Sequence, residues 1–447
     1  MRNKMKQTMK MTEGSLADKI FFFALPLAAS SILQQLFNSA DVAVVGNFAG
    51  SNALGAVGAN GSVINLLVNT FVGISIGSNV VIATLIGQNK EKKAKQAVHT
   101  SMLFAVILGV ILMAFGLLIA PQLLRLMATP SNILSLAVLY LRIYFLGVPF
   151  IVLYNFEAAI LRSRGETRLP LIALSIAGVI NVILNLVFVV GLGMSVDGVA
   201  YATVISNIFS SLFLLIYLTH DTTITHFTFK QCHIHKDLLL HILKIGIPSG
   251  MQGALFSISN VIIQSQLNQF GSYAIAGSAA ALNFEILSYY FFEGFGQAAI
   301  TFVGQNYGAG KMDRCHQVLK YCWMEASVVT IVSTILFVAF ARPLASIFSS
   351  DPHVLGYAVR RMYILITFEI LNMSIEILSG AMRGFGYAIV PTLVAVFGIC
   401  VSRIIWVFTI AKMIHSYEVL LYCYPISWLL TSIASLIAYK YLTRKLV

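Results

Sequence analysis

Asp41 sits within a run that is otherwise apolar or neutral: Leu36-Phe37-Asn38-Ser39-Ala40-Asp41-Val42-Ala43-Val44-Val45-Gly46. A carboxylate at membrane depth costs ~2.5–3.5 kcal/mol on insertion scales, so one kept there usually handles an ion or a substrate. A proton or a cation would neutralise it. Asn181 and Asn185 lie one helical turn apart, on one face. Their amide oxygens suit Na⁺ coordination or a hydrogen bond to a carboxylic acid, although buried Asn also serves simply to join helices. Asn155 is a further amide in reach of the same group.

Other charged residues fall within apolar stretches. Glu285 and Glu293 are about two turns apart, with Tyr289 and Tyr290 between them. Acids beside aromatics suit lipophilic cations through charge and cation–π attraction. Asn38 and Asn260 are polar candidates for the same substrate. Glu369, Glu376 and Arg403 occupy two successive apolar stretches. Counting residues from the turn between them puts Glu369 level with Arg403, and an unpaired buried charge is costly, so a structural Glu369–Arg403 ion pair is expected. Glu157, close to Arg162, is expected at a membrane interface. Cys232-His233-x-His235 lacks a fourth ligand, so no metal site is expected. The chain has no phosphate-binding glycine loop and no nucleophile elbow, and no catalytic residue is assigned.

These groups must be held by helices in lipid. Of 447 residues 58% are hydrophobic and 10% charged, against about 25% charged in soluble domains. Twelve apolar stretches are expected to span, at about 20–46, 55–86, 98–120, 135–160, 170–192, 197–218, 240–268, 275–303, 318–341, 357–382, 391–413 and 419–440. The chain is therefore read as an all-α membrane protein. Ser15-Leu16-Ala17-Asp18 reads as a capping box opening the first helix. No cleavable leader is expected.

The net charge of +12 reflects topology rather than nucleic acid. With the N-terminus inside, 22 of the 29 Lys and Arg fall on inner segments and six on outer ones: Arg125, Arg142, Arg342, Arg360, Arg361 and Lys412. By the positive-inside rule both termini are expected in the cytoplasm, in a multi-pass protein of the cell membrane. The five cysteines form no CxxC pair and are expected as thiols.

The chain also repeats itself. Gly87-Gln88-Asn89 recurs as Gly304-Gln305-Asn306, Arg162-x-x-Gly165-x4-Pro170 as Arg383-x-x-Gly386-x4-Pro391, and Leu25-Pro26 as Ile247-Pro248. The offsets are 217, 221 and 222. Both repeated loops are expected to be tight turns. Six spans per copy is an even number, so the copies are expected as parallel six-helix lobes related by a pseudo-twofold along the membrane normal. The expected division is an N-terminal lobe at 1–218, a linker at 219–239 and a C-terminal lobe at 240–447. The copies differ chemically: Ile263 stands opposite Asp41, and Asn260 opposite Asn38.

These loops, with Leu153-Tyr154-Asn155 and Asn181-Val182-Ile183-Leu184-Asn185, resemble the multidrug and toxic compound extrusion family over essentially the whole chain. The resemblance implies a secondary transporter that exports drug-like or cationic organic compounds in exchange for H⁺ or Na⁺ by alternating access. It also implies that an acid in the first helix, here Asp41, is the coupling residue. Many members carry Asp where this chain has Asn185, which shifts the expectation modestly towards H⁺. No cofactor beyond the coupling cation is expected, and the partners are a small organic substrate and membrane lipid, with a monomeric chain. A flippase for lipid-linked saccharides is the alternative within transport. A membrane-embedded transferase is the alternative outside it, but it should show a catalytic cluster at one membrane face.

Overall fold

A computed structural model describes residues 9–127 and 129–446; Arg2, Lys4 and Lys6, counted above in the N-terminal tail, lie outside the described residues. Twelve long helical elements follow one another. They are α1 (Ala17–Ala49), α2 (Ser51–Gly87), α3 (Glu91–Leu126), α4 (Ser131–Ser163), α5 (Arg168–Gly191), α6 (Val196–His220), α7 (Lys236–Phe270), α8 (Ser272–Gly308), α9 (Met312–Ala339), α10, α11 (Ile389–Met413) and α12 (Tyr417–Leu446). A 44° bend breaks α10 into Pro352–Ile366 and Glu369–Gly384. Ten of the twelve are long and apolar enough to cross a membrane, and α10 makes an eleventh when its halves count as one span. The remaining helix, α8, has 37 residues, but Glu285 and Glu293 lower its apolar character. No strand occurs among the described residues.

The fold is one that only a bilayer would solvate. Helices satisfy their own backbone hydrogen bonds, as hydrocarbon demands. Large apolar side chains point outward along the shafts, with Leu118 73% exposed and Ile437 and Phe397 each 63%. All six basic residues assigned to outer segments lie on helices rather than in loops, with Arg142 well inside α4 and Arg360 and Arg361 inside α10. α4 begins at Ser131 and α10 at Pro352, ahead of the expected stretches, so these charges fall in the first part of each helix.

The repeated Arg-x-x-Gly-x4-Pro segments are turns. Gly165 has φ 96° and Gly386 φ 88°, a region that side chains with a Cβ rarely enter. Pro170 and Pro391 fall in the first turns of α5 and α11, where a missing N–H costs no helical bond. The two Gly-Gln-Asn copies part company. Asn89 turns the chain at φ 55°, whereas Gly304, Gln305 and Asn306 remain inside α8 and the turn comes at Gly310, φ 71°. Asn306 is buried, donating Nδ2 to the carbonyls of Phe302 (2.8 Å) and Met11 (3.3 Å). That second motif is therefore a packing feature rather than a loop.

Packing divides the chain into two compact units. One holds Ala29–Gly246; the other holds Lys10–Ala28 and the chain from Ile247 onward. The cuts fall in α1 and α7, within three residues of Pro26 and within two of Pro248, where proline interrupts the helical hydrogen bonding. Each unit thus contains the first stretch of a helix whose remainder belongs to the other unit. In the first unit, α7 crosses α2 at Gly77, where an added Cβ would stand 2.1 Å from the Ile242 carbonyl oxygen. In the second, α1 crosses α8 at Gly294, where the same atom would stand 2.5 Å from the Ala24 oxygen. The spacing from Gly77 to Gly294 is 217, that of the first repeated landmark.

The connector after α6 is pinned to the first unit. Arg164 Nη1 reaches Asp221 Oδ2 at 2.5 Å, both side chains being 5% exposed. It also donates to Thr223 and Thr225, and Nη2 donates to the Tyr217 hydroxyl at 3.0 Å. Burial alone would raise the Asp221 carboxyl; hydrogen bonds from Thr223 and Thr225 and the Arg164 charge outweigh it and hold the group below the usual carboxylate range. Thr228 N–H donates to Nε2 of buried His99 at 3.1 Å. Cys232, His233 and His235 gather no cluster of three metal-binding side chains among the described residues.

Candidate ion and substrate sites

Asp41 lies on α1 and is 8% exposed. Its neighbours come from α5 and α6. Asn185 Nδ2 donates to Asp41 Oδ1 at 2.5 Å and to Asn181 Oδ1 at 3.2 Å. Thr203 Oγ1 donates to Asp41 Oδ2 at 3.3 Å, and Asn181 Nδ2 to Thr203 Oγ1 at 3.4 Å. Tyr140 and Tyr144, buried on α4, lie within electrostatic reach of the carboxylate. Asn185 is fully buried, yet its Oδ1 has no partner among the described residues. An enclosed acceptor without a donor is uncommon and requires a cause.

The two site helices change winding just beyond these groups. α1 passes into a π-turn at Val45–Ala49, and α5 does so at Leu186–Gly191, immediately after Asn185. Such turns loosen the regular ladder and recur at functional sites. The structure therefore brings Asp41, Asn181 and Asn185 together, and adds Thr203, Tyr140 and Tyr144. The added residues carry no sequence signal of their own. Thr203 looks like a helix Thr bonding its own turn, as it also does to the Val199 carbonyl at 3.0 Å.

Two amides do not join. Asn155 donates Nδ2 to the Ile151 carbonyl of its own helix at 2.8 Å. Asn38 is exposed on α1, one turn before Asp41.

In the second unit the expected pairing changes. Glu369 and Arg403 make no ion pair within 4.0 Å; the buried pair is Glu285 with Arg361. It is bidentate, with Nε to Oε1 at 2.6 Å and Nη2 to Oε2 at 2.8 Å. The reason lies in α10. Its bend falls between Ile366 and Glu369, so depth counted along a straight helix does not give the direction of the side chain. Glu369 Oε2 accepts from Asn372 Nδ2 at 3.2 Å instead. Glu285, committed to Arg361, is unavailable as a bare acid for a cationic substrate.

Arg403 turns to neutral groups. Its Nε donates to Ser427 Oγ at 2.9 Å and its Nη1 to Asn260 Oδ1 at 3.5 Å. The guanidinium lies 4.2 Å from the Tyr424 ring centre and 5.8 Å from that of Trp428. Asn260 is itself exposed.

Tyr289 stacks edge-on against Phe292 at 5.2 Å, within electrostatic reach of Glu293, Glu376 and Arg383. Glu293 is half-buried. Glu157 is fully buried between α4 and α6, accepting from Ser211 Oγ at 3.3 Å. α4 does end near Arg162, at Ser163, but Glu157 lies well over a turn earlier on a closely packed stretch.

An all-helical membrane protein with a duplicated bundle, and with a buried carboxylate held by amides and a hydroxyl at Asp41, has the build of a transporter. The MatE family model matches residues 26–187 and 248–409, once in each copy. The chain belongs to that family, and so is a membrane transporter rather than an enzyme. Among curated relatives, "Probable multidrug resistance protein YoeA" of Bacillus subtilis is 30% identical over 402 residues, 88% of this chain and 86% of that protein. "Multidrug export protein MepA" of Staphylococcus saprophyticus is 23% identical over 396 residues, 88% of each. Among solved structures, one described as "Crystal structure of MATE in complex with MaL6" matches with a TM-score of 0.93 at 22% identity, covering 99% of both chains. "Outward-facing conformation of a multidrug resistance MATE family transporter of the MOP superfamily" matches at 0.91 with the same identity and coverage. At that identity the likeness concerns the fold.

Proposed function

We propose that this chain exports drug-like organic compounds, cationic ones included, in exchange for a cation bound at Asp41, and that the cation is H⁺. The names of the relatives support export of drugs. The observation that carries the coupling is the orphaned Asn185 Oδ1 beside a buried carboxylate.

As built, the cluster suits charged Asp41, which accepts from Asn185 and Thr203. Protonation turns one carboxyl oxygen into a donor. The Asn185 N–H group cannot accept that proton, but its orphaned Oδ1 can. Proton binding therefore favours a turn of the Asn185 amide, and the π-turn that follows gives α5 the slack to respond. A coupling site must interact differently with its ion in two states, and this rearrangement supplies the difference. Na⁺ is the second reading: the Asp41, Asn181, Asn185 and Thr203 oxygens form a hard donor set suited to a hard cation. For Na⁺, Asn185 would have to present oxygen rather than N–H to the centre.

The test is transport in proteoliposomes with H⁺ and Na⁺ gradients imposed separately. Asp41→Asn is expected to fold normally and to lose at least ~10-fold in gradient-driven efflux, since one charge state of the switch is gone. Efflux by Asp41→Asn at the wild-type rate would remove Asp41 from the coupling role. Efflux driven by Na⁺ alone would replace H⁺ with Na⁺.

A further inference from the structure

Four arginines are less than a tenth exposed among the described residues: Arg164, Arg361, Arg383 and Arg403. Arg164 has Asp221 and Arg361 has Glu285. Arg383 lies in the last turn of α10, where the carbonyls of a helix end attract a cation. Arg403 has neither a carboxylate within 4.0 Å nor a helix end, and its hydrogen-bond partners, Ser427 and Asn260, are neutral. Glu369 is within electrostatic reach but makes no ion pair with it within 4.0 Å, so the buried guanidinium lacks a direct charge partner, an unfavourable state. Its Nη2 has no protein hydrogen bond among the described residues and is not enclosed.

The position also has meaning within the repeat. At the offset of 221, Asn181 corresponds to Ser402 and Thr203 to Tyr424; at 222, Asp41 corresponds to Ile263. The elements that gather around an acid in the first copy gather around Arg403 in the second. Arg403 itself corresponds to Val182, so the second copy sets a cation from α11 among elements that in the first copy surround an acid from α1.

We propose that Arg403 receives the carboxylate of an organic substrate whose aromatic body lies against Tyr424 and Trp428. A guanidinium offers a planar fork matched to a carboxylate, and the two rings already flank it at 4.2 and 5.8 Å. Exposed Asn260, hydrogen-bonded to Arg403, marks the open side. The favoured compounds carry a carboxylate beside an aromatic body. This rests on the exporter reading for the word substrate, but binding at equilibrium tests it without any gradient, so failure of the efflux assay and failure of this proposal are read separately.

The probes are rhodamine 110, which carries a free carboxylic acid, and rhodamine 123, its methyl ester, titrated against the purified full-length protein by fluorescence polarisation. Wild type is expected to bind the acid more tightly than the ester. Arg403→Gln is expected to weaken the acid about tenfold or more, as for loss of a charge-assisted hydrogen bond, and to leave the ester within about twofold. Arg403→Lys should fall between. Should Arg403→Gln fail to fold, Ser427→Ala, which removes the Nε partner and the hydroxyl's bond to the Tyr424 carbonyl, is expected to weaken the acid selectively. Equal affinity of wild type for acid and ester, or equal loss of both in the variants, would overturn the proposal. So would competition by chloride that abolishes the preference for the acid, since the anion read would then be inorganic.

Discussion

At the residue scale, most buried charges in this protein are settled by specific neighbours. Glu285 and Arg361 meet in a bidentate pair, each less than a tenth exposed. Breaking a buried pair by removing one partner typically costs about 3–5 kcal/mol, because the survivor stays buried without compensation. Arg361→Leu is therefore expected to reduce folded yield sharply. Glu285→Gln in that background is expected to restore part of it, since both charges are then gone. Thermal unfolding of single and double variants in detergent checks this; a double variant no more stable than Arg361→Leu would mean that the two side chains act independently. Glu369→Gln should give no such rescue of Arg361→Leu. Asp41 contrasts with Glu285: it holds amides and a hydroxyl rather than a cation, so its charge stays available to be neutralised.

At the element scale, the long helices are less uniform than their apolar sequences suggest. α1, α5 and α11 each carry a π-turn, and α10 is broken. Two crossings depend on a residue without a side chain. Gly77 accommodates the Ile242 carbonyl and Gly294 the Ala24 carbonyl, at distances no Cβ tolerates. Gly294→Val is expected to destabilise the second unit by about 1–3 kcal/mol, the usual range for overpacking. The neighbour that must move is backbone, so the effect should lie at the upper end. Gly58→Ala, where an added Cβ meets nothing within 4 Å, is the matched control. Equal melting temperatures for the two variants would show that α1 does not rest on Gly294 as closely as described.

At the scale of the whole molecule, repeat and packing unit are different divisions. The repeat is a property of the gene product's order; the compact units exchange the first stretches of α1 and α7 near Pro26 and Pro248. The expected orientation in the membrane rests on the 22 of 29 basic residues counted on inner segments. We expect both termini in the cytoplasm. In a cysteine-free background, cysteines placed at Lys90 and Lys311, in the turns after α2 and α8, should react with a membrane-impermeant maleimide only after the cells are opened. Labelling of intact cells at either position would invert the topology.

Sequence alone determined the class of this protein. An apolar chain with few charges admits a bilayer and little else, and three repeated landmarks disclose a duplication whatever the packing. Asp41 was legible because a carboxylate in an apolar stretch is costly wherever the helix turns. Asn181 and Asn185 were legible because four residues make one turn. Partnership was not legible. Glu369 was the expected partner of Arg403 and Glu285 a candidate for substrate, and the actual partners depend on how each helix rotates and where it bends. The 44° break in α10 directs Glu369 to Asn372, while Arg361 lies beside Glu285. Thr203 and the two buried tyrosines joined Asp41 for the same reason. Linear spacing specifies depth along one helix, whereas contact between helices is set by the packing of all their faces at once, and only the tertiary structure contains that.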